Sequence, residues 1–167
     1  MTMIQGLLAE LEQEAATTRR VLERVPDAHL SWKPHPKSMS LGQLALHVAT
    51  VPGNVAELAA GPGLTEPPAF IQEPARTSAE LLTALDDSLS RARAALGSFD
   101  DAAMGATWRL TVAGKEVMAL PRAGLVRAVM LNHWYHHRGQ LLVYLRLLDV
   151  PVPSVYGPSA DENPFAA

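Results

Sequence analysis

The fold of this chain is decided by the stretch PRAGLVRAVMLNHWYHHRGQLLVYLRLL, residues 121–148. Apolar and histidine positions recur in it at steps of three and four, which places them on one face of a long α-helix. This face consists of Val126, Met130, His133, His137, Leu141, Tyr144 and Leu148. Pro121 suits the first turn of such a helix, where its missing N–H is not needed. The pattern predicts a long last helix with two histidines on its buried face.

Three more helices are predicted upstream from the same periodicity. The first lies within residues 4–22, where apolar side chains form a single stripe. The second begins at Leu41 and runs to about Ala60, and the third lies between Thr77 and Gly97. Four amphipathic helices in one chain predict an all-α four-helix bundle.

Capping patterns and prolines mark the ends of these helices. Ser40–Gln43 and Thr77–Glu80 both have the capping-box form, in which side chains satisfy the free N–H groups of a first turn. Pro52 falls inside the second helix and should kink it. Residues 61–76 are rich in proline and predict a long connecting loop, whereas residues 107–118 alternate and predict a short extended or hairpin excursion before the last helix.

Length and composition fit a single globular domain over residues 1–167, with residues 150–167 as an extended C-terminal tail. Asp161 and Glu162 in this tail are expected to be solvated. The chain has 14 Lys and Arg against 17 Asp and Glu, a net charge of −3, and no run of like charge. These features disfavour a nucleic-acid partner. No apolar window is long enough for a membrane span and no secretory signal is recognisable, so a cytoplasmic protein is the expectation.

Cysteine is absent, which excludes a thiolate nucleophile and any Cys-ligated metal site within the protein. Histidines are the remaining candidates for site chemistry. His133 and His137 lie four residues apart, on one face of the last helix and one turn from each other. This pair could bind a metal, or both residues could be core histidines satisfied by hydrogen bonds. His47 borders the apolar stripe of the second helix and can face the same interior, and three imidazoles would leave coordination positions open for water or substrate.

Other polar residues near these positions have less defined roles. His136 points about 100° away from its neighbour in the last helix, so a surface or outer supporting role is expected. His29 and His35 lie in a loop and are expected to be solvated, although His35 could approach the mouth of the site. Gln140 could orient a ligand imidazole, since a coordinated histidine usually donates its other N–H. Arg138 could bind an anionic substrate, but a surface side chain or a dimer contact is favoured.

Two segments resemble a known family. They are SWKPHPKSMSLGQLALHVA at residues 31–49 and NHWYHHRGQLLVYLRLLDVPVPSVYGPSADE at residues 132–162, and with them the sequence resembles the DinB-like, or DinB/YfiT-like, family. The resemblance implies a four-helix bundle of up-down-down-up connection, a homodimer, and a divalent metal ion held by His47, His133 and His137. The metals implied are zinc, nickel, iron or manganese. Three imidazoles without a thiolate suit zinc, nickel or iron by ligand softness.

The same resemblance implies a metal-dependent enzyme acting on a small molecule. Relatives include transferases and isomerases that use a low-molecular-weight thiol, which a metal would activate as a thiolate. Hydrolysis by activated water is weaker, because no carboxylate near the motifs stands out as a general base. The alternatives are a non-catalytic metal-binding or stress-related bundle with a structural metal, and a helical scaffold without metal. No catalytic residue beyond the metal ligands is identified from the sequence.

Overall fold

The predicted helices are present in the computed structural model, which describes residues 2–69 and 73–166. In chain order the α-helices are α1 (Met3–Leu22), α2 (Leu41–Ala60), α3 (Ser78–Gly97), the short α4 (Asp101–Gly105), α5 (Arg122–Leu125) and α6 (His133–Leu147). The sequence did not predict α4, or the short 3₁₀ helix Asp27–His29 that follows α1. A π-helical segment, Val126–Asn132, joins α5 to α6, so these three pieces form the predicted last helix. Residues 70–72 of the predicted connecting loop lie outside the described residues.

Side-chain caps begin the first three helices. The capping box predicted at Ser40 is complete: its hydroxyl accepts from the N–H of Gln43, whose side chain accepts from the N–H of Ser40. The box predicted at Thr77 is only half correct, since the Glu80 carboxylate accepts instead from the N–H of Arg76. A further complete box, at Thr2 in front of α1, was not predicted.

The helices pack around a shared apolar core, with α2 against α3 and α6, and α1 against α3 and α6. Fully buried residues from every long helix meet there, among them Leu11, Leu44, Leu85, Met130 and Leu141. This arrangement confirms the predicted all-α bundle with a hairpin before the last helix. No helix in residues 2–69 or 73–166 is both long and apolar enough to cross a membrane.

The predicted excursion is a two-stranded antiparallel hairpin of β1 (Thr107–Val112) and β2 (Lys115–Pro121). Its turn residues, Ala113 and Gly114, have φ angles of 49° and 76°, as the tight turns of twisted hairpins require. Leu64 of the preceding loop adds a parallel bridge to β1. The hairpin is therefore tied to the connecting loop as well as to the last helix.

Two side chains from the hairpin region satisfy the last carbonyl groups of α2. Trp108 Nε1 donates to the Leu58 carbonyl over 2.9 Å, and Arg122 Nε donates to the Ala59 carbonyl over 2.8 Å. The end of a helix leaves its final carbonyls without intrahelical partners, so these bonds supply them. They also fix the hairpin and α5 to the end of α2.

Pro52 lies inside α2, as predicted. Because proline has no N–H, one carbonyl of α2 is left to accept a hydrogen bond from a neighbouring helix. An ordinary residue at this position would donate to the Val48 carbonyl one turn earlier. Here the indole Nε1 of Trp134, on α6, donates to that carbonyl over 2.7 Å. Ser88 of α3 likewise accepts from the N–H of Gly53 over 2.8 Å. The break in the α2 ladder therefore links α2 to both of its neighbours.

Arg138 is buried, which corrects the expectation of a surface side chain or dimer contact. Only 1% of the residue is exposed, and its guanidinium pairs with the Glu14 carboxylate over 2.5 Å. It also donates to the Thr18 hydroxyl and to the Tyr156 hydroxyl, which in turn donates to Glu14. Its cationic group lies over the rings of Tyr135 and Tyr156. This cluster, called the Arg138 cluster below, joins α1, α6 and the tail.

The C-terminal tail contains no helix or strand in its described part, yet it is bound to the bundle. Glu162 pairs with Arg20 of α1 over 2.5 Å, and Asp161 forms an ion pair with Arg146 of α6. Both carboxylates also accept backbone N–H groups of the tail itself. Asp161 is exposed, as expected, and Glu162 is half-buried, but the sequence did not indicate that the tail folds back so that both acids meet arginines.

Candidate metal centre

Three histidines from two helices meet in the interior of the bundle. His47 lies near the middle of α2, while His133 begins α6 and His137 follows one turn later. The ring centroids are 5.3 Å apart for His47 and His133, 4.6 Å for His47 and His137, and 4.3 Å for His133 and His137. One ligand nitrogen from each ring lies within 4.8 Å of the other two. The structure thus brings together the three residues selected from the sequence.

Two features next to the histidines, a hydrogen bond and a π-helical segment, determine how α2 and α6 face each other. The hydrogen bond between Trp134 and the Val48 carbonyl joins residues directly next to His133 and His47. The π-helical segment Val126–Asn132 ends immediately before His133. Such segments insert one extra residue into a helix and occur frequently at functional sites. Together these features set where the α6 histidines face α2.

Burial favours the neutral form of the two α6 histidines by lowering the pKa of each. The pKa of His133 is lowered chiefly by burial, and further by the charges that His137 and His136 would carry. The pKa of His137 is also lowered by burial, against a smaller opposing effect of its hydrogen bond to Gln140. Metal ions bind the neutral imidazole, so a lowered pKa favours binding near neutral pH.

Gln140 fixes the tautomer of His137. Its Oε1 atom lies 2.8 Å from His137 Nδ1, and an amide oxygen can only accept. The Nδ1 atom must therefore carry the hydrogen, which leaves Nε2 with a free lone pair. A supporting hydrogen bond of this kind orients most metal-bound histidines.

The geometry and chemistry of these donors fit a divalent metal ion. Zinc binds imidazole nitrogen at about 2.0–2.1 Å in tetrahedral sites, which puts two ligand nitrogens roughly 3.4 Å apart. His47 Nε2 and His133 Nε2 are 3.1 Å apart. The described group contains three histidines and no carboxylate. Three nitrogen ligands leave at least one position open in such a site.

The remaining histidines stay outside the group. His136 is exposed and its ring centroid lies 5.0 Å from that of His137, in agreement with an outer position. His29 and His35 are exposed in the loop after α1, as expected, and His35 Nδ1 accepts from the N–H of Lys37.

A cavity of about 590 Å³ opens beside the histidines. It is lined by His47, Val51, Asn54, Val55, Glu57, Leu58, Pro68, Ala69, Val129 and His133. Pockets of about 300–1,000 Å³ with mostly apolar walls are typical of small-molecule sites. Two of the three histidines line this one, so a ligand in the cavity would reach the metal position.

Comparison with known proteins identifies the family. The sequence model of the DinB family matches residues 1–164, nearly the whole chain. The chain belongs to the DinB family. One relative by sequence is the uncharacterized protein YrdA of Bacillus subtilis, 26% identical over 166 residues that cover 95% of this chain and 91% of YrdA.

Solved structures of DinB-like proteins share the fold. One from Bacillus cereus matches with a TM-score of 0.72 and 22% identity, covering 91% of this chain and 97% of its own. Another from Bacillus subtilis matches with a TM-score of 0.66 and 18% identity, covering 90% of this chain and 97% of its own. These likenesses support the DinB-family bundle.

Sequence reasoning missed the cavity of this DinB-family chain. In the sequence, Val51 and Val55 continue the apolar stripe of α2 one and two turns after His47. That pattern predicts core positions and gives no sign that they border open space. Val129 belongs to the π-helical segment, where ordinary helical spacing fails. The available signal was the small size of these side chains beside three histidines, since small residues leave space in a core.

Proposed function

We propose that this DinB-family chain is a divalent-metal-dependent enzyme whose metal is held by His47, His133 and His137. The observation that supports this most directly is the convergence of three ligand nitrogens within 4.8 Å, with His47 and His133 also lining a cavity. A site with three imidazoles and an open position is typical of catalytic rather than structural metal centres. Zinc, nickel, iron and manganese are the candidate ions.

The reaction proposed is transfer of a low-molecular-weight thiol to a small electrophile, or a related isomerisation. A divalent ion bound here would supply a Lewis acid that lowers the pKa of a coordinated thiol or water. The chain has no cysteine, so a sulfur nucleophile must come from a cosubstrate. The three-histidine group includes no carboxylate to serve as a general base, which favours the thiol over water.

The residues around the ion would have defined tasks. The three histidines bind it, Gln140 orients His137 through the Nδ1 contact, and the cavity walls exclude water from the reacting groups. We also propose that the protein acts as a homodimer, as the family resemblance implies. A monomer mass in sedimentation at micromolar concentration would contradict this part.

A structural metal is the alternative, and one observation favours it. His47 Nε2 and His133 Nε2 are close enough to hydrogen-bond directly, so the group also joins α2 to α6. In that case metal would raise stability without supporting turnover.

The first test is bound metal, measured by mass spectrometry on protein purified without a histidine tag. Wild type is expected to carry near-stoichiometric metal that is lost in both His47→Ala and His133→Ala. His136→Ala is the matched control, since that residue is adjacent but outside the group, and it should keep its metal. Wild type that stays metal-free after incubation with zinc, nickel, iron(II) and manganese would overturn the proposal.

The second test separates the enzyme from the structural alternative. Metal-loaded protein is mixed with thiol and electrophile pairs, and loss of free thiol is followed over time. Thiol consumption that disappears in His47→Ala supports the transferase. Stoichiometric metal with no turnover on any pair would favour the structural role.

A further inference from the structure

We propose that the cavity beside the histidines binds the uncharged, apolar body of the electrophile, and that an anionic cosubstrate does not occupy it. This inference rests on the proposed function, because it assigns the substrate class of that same site.

The cavity extends from the histidines along α2. His47, Val51, Val55 and Leu58 follow one another at steps of four, four and three, so they share one face of that helix. At 1.5 Å per residue, Leu58 lies about 16 Å along the helix axis from His47. A chain-like ligand could therefore extend from the metal position along α2 toward the far end.

The walls along this path are aliphatic. Val51 and Val55 are buried in α2, and Val129 and Leu58 are half-buried at the cavity. Pro68 completes the apolar lining from the connecting loop. Each methylene group that a ligand buries against such walls improves its dissociation constant about fourfold. Ligands with longer hydrocarbon chains should therefore bind more tightly in this cavity.

The described lining offers no cationic side chain to an anionic ligand. Apart from the histidines, its polar residues are Asn54 and Glu57, and it contains no lysine or arginine. Arg91 is nearby but is already paired with Glu57 over 2.7 Å and with Asp87 over 2.9 Å. Arg122 is bonded to the carbonyls of Ala59 and Gly61 and lies outside the lining. A carboxylate or phosphate on the ligand would therefore face the Glu57 carboxylate without a cation in the lining to pair with.

The electrophile is therefore expected to be neutral or cationic beyond its reactive atom. An anionic thiol would have to reach the metal position from outside this cavity. The two substrates would then meet at the histidines, where the transfer between them is proposed to occur.

Ligand binding to metal-free protein tests this directly, because no metal is present to attract a carboxylate. Three probes of equal chain length are titrated by calorimetry: 1-octanol, octylamine and octanoate. We expect 1-octanol and octylamine to bind at least tenfold more tightly than octanoate, with methyl NMR shifts confined to Val51, Val55, Leu58 and Val129. Shortening 1-octanol to 1-hexanol should weaken binding about 15-fold. Equal binding of all three head groups, or shifts elsewhere, would overturn the proposal.

Variants locate the site. Leu58→Trp should fill the cavity and weaken 1-octanol binding at least tenfold, whereas Leu82→Trp, at a half-buried leucine of α3 outside the lining, should leave it unchanged. Val129→Phe serves as a second filling variant if Leu58→Trp does not fold. Unchanged binding in a folded filling variant would contradict the assignment.

The variant Glu57→Gln tests whether the Glu57 carboxylate disfavours anionic ligands. It should strengthen octanoate binding and weaken octylamine binding, each several-fold, with 1-octanol unaffected. Selective binding in a protein that never takes up metal would leave the cavity assignment intact and overturn the proposed function. Metal-dependent turnover without selective probe binding would do the reverse.

Discussion

The Arg138 cluster and the three-histidine group lie on neighbouring positions of α6, yet they differ in completeness. Arg138 is 1% exposed, and its guanidinium is bonded to Glu14, Thr18 and Tyr156. The histidines instead bring ligand nitrogens together beside a cavity. A buried polar cluster whose donors and acceptors are bonded to one another stabilises the fold. A cluster that directs several ligand nitrogens at one point instead leaves a position that a metal ion can fill.

The largest effect is expected from a variant that breaks the Arg138 cluster. Arg138→Met leaves the Glu14 carboxylate buried without its partner, so the free energy of unfolding should fall by about 3–5 kcal/mol. Urea unfolding measures this. The double variant Arg138→Met, Glu14→Leu should recover much of the loss, because no unpaired charge remains. A single-variant loss below about 1 kcal/mol would show that the pair is not buried as described.

The second-largest effect is expected from metal binding, which stabilises the folded protein through the histidine group alone. At a free metal concentration 100 times the dissociation constant, the folded protein should gain about 2.7 kcal/mol, and a chelator should remove the gain. Thermal melts with and without zinc measure this. His47→Ala should abolish the metal-dependent shift and His136→Ala should keep it. Identical melts of the wild type in both conditions would count against the site.

A smaller effect is expected at Gln140, which supports a ligand without binding metal itself. Gln140→Leu removes the acceptor for His137 Nδ1, so metal affinity should fall about 10- to 100-fold. Competition with a chromophoric chelator gives the affinity. Gln140→Glu keeps an acceptor and should retain most of it. Because the residue is exposed, metal-free stability should change by less than about 0.5 kcal/mol in both variants.

The smallest effect is the acid sensitivity of a surface pair near the Arg138 cluster. The pKa of Glu10 is lowered from 4.5, first by the hydrogen bond from Arg127 and also by that from Tyr135. A carboxyl whose folded pKa is depressed stabilises the fold above its unfolded pKa and loses that contribution as pH falls. Unfolding free energy should therefore decline below about pH 4.5, and Glu10→Gln should flatten the decline by at most about 1 kcal/mol.

Urea unfolding at several pH values between 3 and 7 checks this prediction. Glu10 belongs to α1, and its carboxylate is bonded to Arg127 and Tyr135, which are not members of the histidine group. Its variant should therefore bind zinc at pH 7 with wild-type affinity. A loss of metal affinity in Glu10→Gln would show that the two polar regions of the bundle are coupled.

The helices and the three histidines could be predicted because their signals are local. Spacing of three and four residues fixes which side chains share a helix face, and His133 with His137 follows from that alone. Placing His47 opposite them needed the apolar stripe of the second helix and the family resemblance. The hairpin was also recognisable, from alternation around Ala113 and Gly114.

The long-range contacts could not be predicted. Arg138 adjoins a buried face, but only the packed bundle shows that Glu14, 124 residues earlier, lies opposite it. The tail acids are similar, since Glu162 meets Arg20 across 142 residues. Pro52 was predicted to kink α2, whereas its observed role, freeing a carbonyl for Trp134, depends on a helix about 80 residues away.

The π-helical segment holds one extra residue in the last helix. A deletion of one residue within Val126–Asn132 would let the segment relax into an ordinary α-helix. The loss of one residue and the tighter winding offset each other, so α5 and α6 would keep nearly the same faces toward α2. Arg122 would stay at the end of α2 while His133 and His137 stay opposite His47. The segment is thus the place where the last helix can lose a residue without moving its metal ligands relative to α2.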